Sequence, residues 1–392
     1  MKPGLWAFAL VTAAAAATTA GTVPLVRALA VRVGAVVKPD ERRVHERPTA
    51  TLGGLAMLLG ALVGLVAAWA HGGFSPIFAS PAEPIGVAAA AVLIYGVGFI
   101  DDLREVSAPA KVAGMVLAGS VLPLAGVSIL FFRVPFSGMY VLSADLSALV
   151  TVLWVVGMAN AVNLIDGLDG LAAGIVAIAA GAFFLYDLNL ANAGHLRPAN
   201  LGPLTAAITV GVCVGFLPHN FHPARIFMGD GGALLLGLLM AASTISVGGR
   251  TQDAFSGQAF FFFAPLVIPL LILGVPVLDA LFAIVRRATS RSGIATADKG
   301  HLHHRLMSLG FGQRRSVLIL WAWTAILSAL VLYPTYTGKG DGIVPIGVAA
   351  LGLVLYTLFH PGVRRARKER AAKAKEDAAA QHPTARRGQP VG

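Results

Sequence analysis

Long apolar runs broken by short polar clusters dominate this chain. Eleven runs can be drawn, over residues 4–26, 52–71, 84–100, 112–130, 146–160, 168–187, 201–217, 231–247, 259–285, 317–333 and 342–360. Most approach the roughly 20 residues a helix needs to cross a bilayer core. None alternates with a period of two, which points to helices and away from a barrel. The pattern predicts an all-α, polytopic membrane bundle of about eleven transmembrane helices. The unusual polar clusters fall only in alternate gaps: Asp40–Arg47, Asp101-Asp102, Asn160–Asp169, Phe227–Gly232 and His301–Arg305.

Cations follow the same alternation. With the N-terminus placed outside, 25 of the 30 Lys and Arg residues lie in the inner loops and tail. The positive-inside rule then predicts an N-out, C-in topology in the cell membrane, with every polar cluster on the cytoplasmic face. Composition agrees: 12% of residues are charged and 56% apolar, against about 25% charged in a soluble domain. Residues 1–362 read as one integral membrane domain, and 363–392 as a basic, disordered tail. The formal net charge of +11 sits largely in that tail and the inner loops, which argues for lipid contact and against nucleic acid. Lys2 and the Ala-rich first run also resemble a signal peptide. The basic stretch Arg27–Arg47 that follows resists export and favours a span. Cys213 is the only cysteine, so neither an intramolecular disulfide nor a Cys-based zinc site is available.

Adjacent Asp101 and Asp102 repel unless a cation or donor separates them, and Mg²⁺ suits such hard oxygen ligands. Their bland reading is a solvated helix end. Lys111 opens the next run and could return to the same surface. In Asn160-Ala-Val-Asn163-Leu-Ile-Asp166-Gly-Leu-Asp169-Gly170, polar groups recur every three residues; if helical, Asn163, Asp166 and Gly170 share a face. A purely structural turn would not need four amide or acid groups in ten residues. Asp230, within Phe227-Met-Gly-Asp230-Gly-Gly232, sits where a helix begins, either as an ordinary cap or beside backbone N–H groups open to an anion. Phe227 could stack on a base or belong to an aromatic belt. His301, His303, His304 and Arg305 suit phosphate, with zinc as the competing reading. Arg43, His45 and Arg47 precede the second run in a loop shaped by Pro48 and Gly53-Gly54. Pro265, Pro269 and Pro276 should break the ninth run into a groove lined by Phe260–Phe263 that suits an isoprenoid chain.

Taken together, the Arg43-Val-His45…Pro48…Gly53-Gly54 loop, Asp101-Asp102, Asn160–Gly170, Phe227-Met-Gly-Asp230 and the His301-Leu-His303-His304-Arg305 box resemble the polyprenyl-phosphate N-acetylhexosamine-1-phosphate transferase family (glycosyltransferase 4), over about residues 1–360. The resemblance implies a lipid phosphate attacking the β-phosphorus of a UDP-sugar, with UMP released. The histidine box looks like the UDP-N-acetylglucosamine branch; the phospho-N-acetylmuramoyl-pentapeptide branch is the alternative. The family pattern implies Mg²⁺, with Mn²⁺ as a substitute, on Asp230, Asp166, Asn163, Asp101 and Asp102. It further implies catalytic roles for those four aspartates and for His301, His303 and His304. Substrate contacts would come from Arg43, His45, Arg47, Lys111, Asn160, Asn163, Asp169 (reading uracil), Phe227 (stacking on it) and Arg305. Expected partners are UDP-N-acetylglucosamine, a polyprenyl phosphate and the bilayer, and a homodimer stays open. A secondary transporter is the alternative of another class, but its acids would lie within spans, not at their ends.

Overall fold

A computed structural model describes residues 3–37, 48–104, 106–134, 138–197, 199–248 and 311–359, with Gly274, Leu281, Leu306, Met307 and Leu309 as isolated positions. Its helices are α1 (Leu5–Arg32), α2 (Gly53–His71), a short α3 (Ser75–Phe78), α4 (Ala82–Arg104), α5 (Ala108–Leu124), α6 (Ala144–Ile165), α7 (Leu171–Asn192), α8 (Gly202–Asn220), α9 (Gly229–Gly248), α10 (Gln313–Thr337) and α11 (Ile343–Phe359). Among the described residues, α1, α2, α4 and α6–α10 are long and apolar enough to cross a membrane, and α5 and α11 are shorter apolar helices. Ten of the eleven expected runs coincide with a helix. The run 259–285 lies outside the described residues apart from Gly274 and Leu281, as do the Asp40–Arg47 loop, the His301–Arg305 box and the tail.

Local chemistry moved some boundaries. The run expected over 112–130 forms a helix that starts a turn earlier, where Ser107 is extended and a proline occupies the first turn. It stops at Leu124, because Gly126 takes a left-handed φ of 92°. The apolar residues beyond it enter an antiparallel hairpin, β3 (Phe131–Val134) with β4 (Gly138–Val141), which the apolar pattern had not separated from the helix. A second antiparallel pair, β1 (Val36–Val37) with β2 (Thr49–Ala50), lies between α1 and α2 in the chain.

Helix α9 is the axis of the bundle, packed against α2, α4, α6, α7 and α8. Leu234, Leu235, Leu236 and Leu238 have no exposed surface. Being apolar on every side, α9 suits an interior position. Peripheral helices instead turn large apolar residues outward, among them Leu25 on α1, Leu117 on α5 and Leu153 on α6. Lipid offers little hydrophobic drive for helix association, so polar contacts and small residues must hold such helices together. Trp154 of α6 donates to Thr244 of α9 at 2.9 Å, and Ser243 of α9 donates to the Gly202 carbonyl at 3.0 Å. Where α4 crosses α9, a Cβ on Gly98 would overlap the backbone of Asp230 and Gly231. That closeness brings the polar end of α4 onto the start of α9.

Candidate active site

Four joints meet at one end of the bundle: α1/α2, α4/α5, α6/α7 and α8/α9. Backbone pairing ties the first to the last. Phe227 donates to the Ala50 carbonyl (2.9 Å), while Gly53 and Gly54 donate to the carbonyls of Phe227 (2.9 Å) and Met228 (2.8 Å). Asp102, in the last turn of α4, then caps α9 from another helix. Its Oδ1 accepts from the Asp230 N–H at 2.9 Å and its Oδ2 from the Gly231 N–H at 3.2 Å. The first N–H groups of a helix lack internal partners and carry its positive dipole end, so a carboxylate there is held strongly. Gly229 makes room for it. Its φ is 71°, and a Cβ there would strike Asp102 Oδ2 and come within 2.7 Å of Thr51 Oγ1.

This cap places Asp230 in a network drawn from three other helices. Lys111 Nζ lies 2.8 Å from Asp101 Oδ2 and also pairs with Asp230 Oδ2. It reaches Asn163 Oδ1 at 3.4 Å, and Asn163 Nδ2 donates to Asp230 Oδ1 at 2.8 Å. Asp101 Oδ1 accepts from the Val106 N–H at 2.7 Å, which fixes the turn between α4 and α5. Asp230 keeps 35% of its side chain exposed, against 13% for Asp101 and 15% for Lys111. The ammonium thus lies between two carboxylates, of which Asp230 is the more exposed.

Asp166 is the C-cap residue of α6, beyond its last turn at Ile165. Burial, followed by the charges of Asp230, Asp102 and Asp169, pushes its carboxyl up to about 8. Asn160 turns away from this group: its amide donates to the Val156 carbonyl at 2.8 Å and lies 3.7 Å from the Met115 sulfur. Asp169 is 5% exposed and binds His222 Nδ1 at 2.8 Å and the Ala224 N–H at 3.0 Å. Its carboxylate lies against the α8/α9 loop. Phe227 is half-buried beside Met228, with its backbone clamped between β2 and α2.

The structure thus joins Asp101, Lys111, Asn163 and Asp230 directly, with Asp102 behind them and Asp166 nearby. Arg43, His45, Arg47, His301, His303, His304 and Arg305 lie outside the described residues. The apolar pattern passed over Asn220 and His222. Asn220 accepts from the Gly170 N–H and donates to the Ile226 carbonyl, each at 3.0 Å, stapling the two loops. The signal available was Asn220-Phe-His222-Pro, a polar break immediately after an apolar run.

Comparison with known proteins places this arrangement. The description "Glycosyl transferase family 4" matches residues 84–248, which carry Asp101 through Asp230. The chain is 38% identical over 363 residues to a decaprenyl-phosphate N-acetylglucosaminephosphotransferase from Mycolicibacterium smegmatis, covering 91% of this chain and 89% of the relative. A probable undecaprenyl-phosphate N-acetylglucosaminyl 1-phosphate transferase from Bacillus subtilis is 35% identical over 311 residues, or 79% and 80% of the two chains. A phospho-N-acetylmuramoyl-pentapeptide-transferase from Desulforudis audaxviator is also 35% identical, over 79% of this chain and 91% of its own. With likeness of this depth along most of its length, and with the acids, amide and lysine of its motifs folded into one network, the chain belongs to glycosyl transferase family 4, the polyprenyl-phosphate N-acetylhexosamine-1-phosphate transferases.

Proposed function

We propose that the protein transfers N-acetylglucosamine 1-phosphate from UDP-N-acetylglucosamine to a polyprenyl phosphate at the cytoplasmic face of the cell membrane. The observation that carries this reading is the convergence of Asp101, Lys111, Asn163 and Asp230, from four helices, at one end of an apolar bundle. Such a site meets a water-soluble nucleotide sugar and a membrane-bound acceptor at once. The charge alternation supports N-out, C-in with eleven crossings, the ninth being the run 259–285. Relatives named for the N-acetylglucosamine reaction match up to 91% of the chain, which supports that sugar over the muramoyl-pentapeptide.

In the reaction an oxygen of the lipid phosphate bonds to the β-phosphorus of the donor. The bond from that phosphorus to the bridging oxygen breaks, and UMP leaves with the electron pair. A phosphate monoester has its second pKa near 6, so at neutral pH the acceptor is largely dianionic and already nucleophilic. No strong base is needed, and Asp101 is already committed to Lys111 and the Val106 N–H. Asp101 therefore orients Lys111, and Lys111 offers its charge to the phosphates. Asn163 holds the Asp230 carboxylate by one oxygen, and Asp102 holds its backbone.

The donor set fits Mg²⁺ in kind. Among the described residues no three His, Cys, Asp or Glu side chains enclose an ion by themselves. Mg²⁺, however, is usually bound through one or two carboxylates, waters and substrate phosphates. Asp230 and Asp166 would be the carboxylates for that role. Bound there, Mg²⁺ would neutralise charge across the diphosphate.

The test is UMP release by purified protein given UDP-N-acetylglucosamine, a polyprenyl phosphate and Mg²⁺. Turnover lost in Asp230→Asn, with folding intact, is the expected result. Turnover of the muramoyl-pentapeptide nucleotide alone would move the chain to the other branch, and no UMP from either donor would overturn the reading.

A further inference from the structure

Helix α10 packs chiefly on α7 and α11, outside the helices that gather around α9. One of its side chains nevertheless reaches two of the four joints at the site. Trp321 Nε1 donates to the carbonyl of Leu171, the first residue of α7, at 3.4 Å. Gly174 makes room for the indole, since a Cβ there would overlap Cε2, Cζ2 and Nε1. The same ring has its centre 5.7 Å from that of Phe221, the C-cap residue of α8, at an angle of 49°. Phe221 in turn rests on Gly170, where φ is 78° and a Cβ would stand 3.0 Å from Cδ2. The Asn220 staple gives these joints one hydrogen bond, whereas the two rings set their separation by bulk.

What the rings brace is a run of tight turns. Leu171 donates to the Leu168 carbonyl at 3.0 Å, Gly167 to Ile165 at 2.8 Å and Asp166 to Asn163 at 3.3 Å. Packed interiors transmit strain, so turns this short leave little slack between Leu171 and Asp166 or Asn163. Asn163 is the residue whose amide holds Asp230 at 2.8 Å. We propose that Trp321 is a positioning residue for the phosphosugar transfer. Acting from α10 through Leu171, Gly174 and Phe221, it sets where Asn163 and Asp166 stand against Asp230, without touching substrate itself. This rests on the transferase reading given above.

A steric rescue tests the brace. UMP release at saturating substrates is measured on full-length protein in detergent with Mg²⁺, and kcat is counted per folded, monodisperse molecule. Displacement by about 1 Å, even from far away, can cost about 100-fold in rate. Gly174→Ala drives a methyl group into the indole, so kcat should fall about 10- to 100-fold while both KM values stay within about threefold. Trp321→Phe keeps an aromatic ring for Phe221 but removes the larger indole, and alone should cost about threefold. Combined with Gly174→Ala, it should bring kcat back to within about threefold of Trp321→Phe alone. Trp321→Leu, which leaves no ring, should lose at least 10-fold in kcat. A role in stability alone would lower the melting temperature and leave kcat per folded molecule unchanged, which would overturn the proposal. A loss confined to either KM, or a Gly174→Ala defect that Trp321→Phe does not relieve, would overturn it too. If Gly174→Ala does not fold, Trp321→Leu decides by itself, and wild-type kcat there refutes the brace. Wild-type protein that releases no UMP sinks the transferase reading, whereas an active wild type with an equally active Trp321→Leu sinks only this proposal.

Discussion

Asp102→Asn tests whether the α4 carboxylate acts as a cap for α9. The substitution preserves size and one acceptor oxygen, but turns an amide NH₂ toward the second backbone N–H. One of the two hydrogen bonds, at 2.9 and 3.2 Å, becomes a donor facing a donor. Losing a hydrogen bond to a charged group costs about 1.5–3 kcal/mol. Losing a negative charge at a helix start adds about 0.3–1 kcal/mol. Together they reach roughly 2–4 kcal/mol, and Asp230 lies in the turn that is released. If that whole amount appears as lost positioning of Asp230, kcat falls about 30- to 1000-fold, at 1.36 kcal/mol per tenfold. UMP release at saturating substrates reads kcat, and thermal unfolding in detergent reads the cap. Both should fall together. A lost metal ligand would be partly restored by raising Mg²⁺ tenfold, whereas a lost cap would not. Wild-type kcat and melting temperature in this variant would refute the capping argument, and recovery with Mg²⁺ would make Asp102 a ligand.

Gly229→Ala should injure the same joint from the other side. A left-handed φ costs a non-glycine residue about 1–2 kcal/mol, and the new methyl meets Asp102 and Thr51, so activity should drop at least tenfold without any change in charge. Asp166 predicts a pH effect. Its folded carboxyl is raised from 3.8 to about 8, so stability that is full below about pH 4 is lost as pH rises through about 8. Chelator-treated protein should therefore melt at lower temperature at pH 8.5 than at pH 6, and Asp166→Asn should flatten the slope; equal slopes would contradict the assignment. Asp187 on α7 has no exposed surface, and neither of its oxygens has a hydrogen-bond partner among the described residues. Asp187→Leu should raise the melting temperature, since an unpaired buried polar group costs about 1–3 kcal/mol. A lower melting temperature would point to a partner or role for that acid.

The unbroken apolar runs determined the class of fold, because a chain in lipid must satisfy its backbone within each helix. The same runs placed ten helices to within a few residues, and the polar gaps named Asp101, Lys111, Asn163 and Asp230 before any contact was known. Apolar character alone could not say where a helix stops. Residues up to Leu130 are as apolar as those of α5, yet Gly126 ends the helix and a hairpin follows. Nor could spacing tell a carboxylate that faces substrate from one that faces protein. Asp101 and Asp102 are neighbours in the chain, but successive helical side chains point about 100° apart, so one meets Lys111 and the other caps α9. Asp166 and Asp169 divide in the same way, one lying near Asp230 and the other holding His222 across 53 residues. These choices depend on which helix ends are brought together, and only the packing of α4, α6 and α8 around α9 decides that.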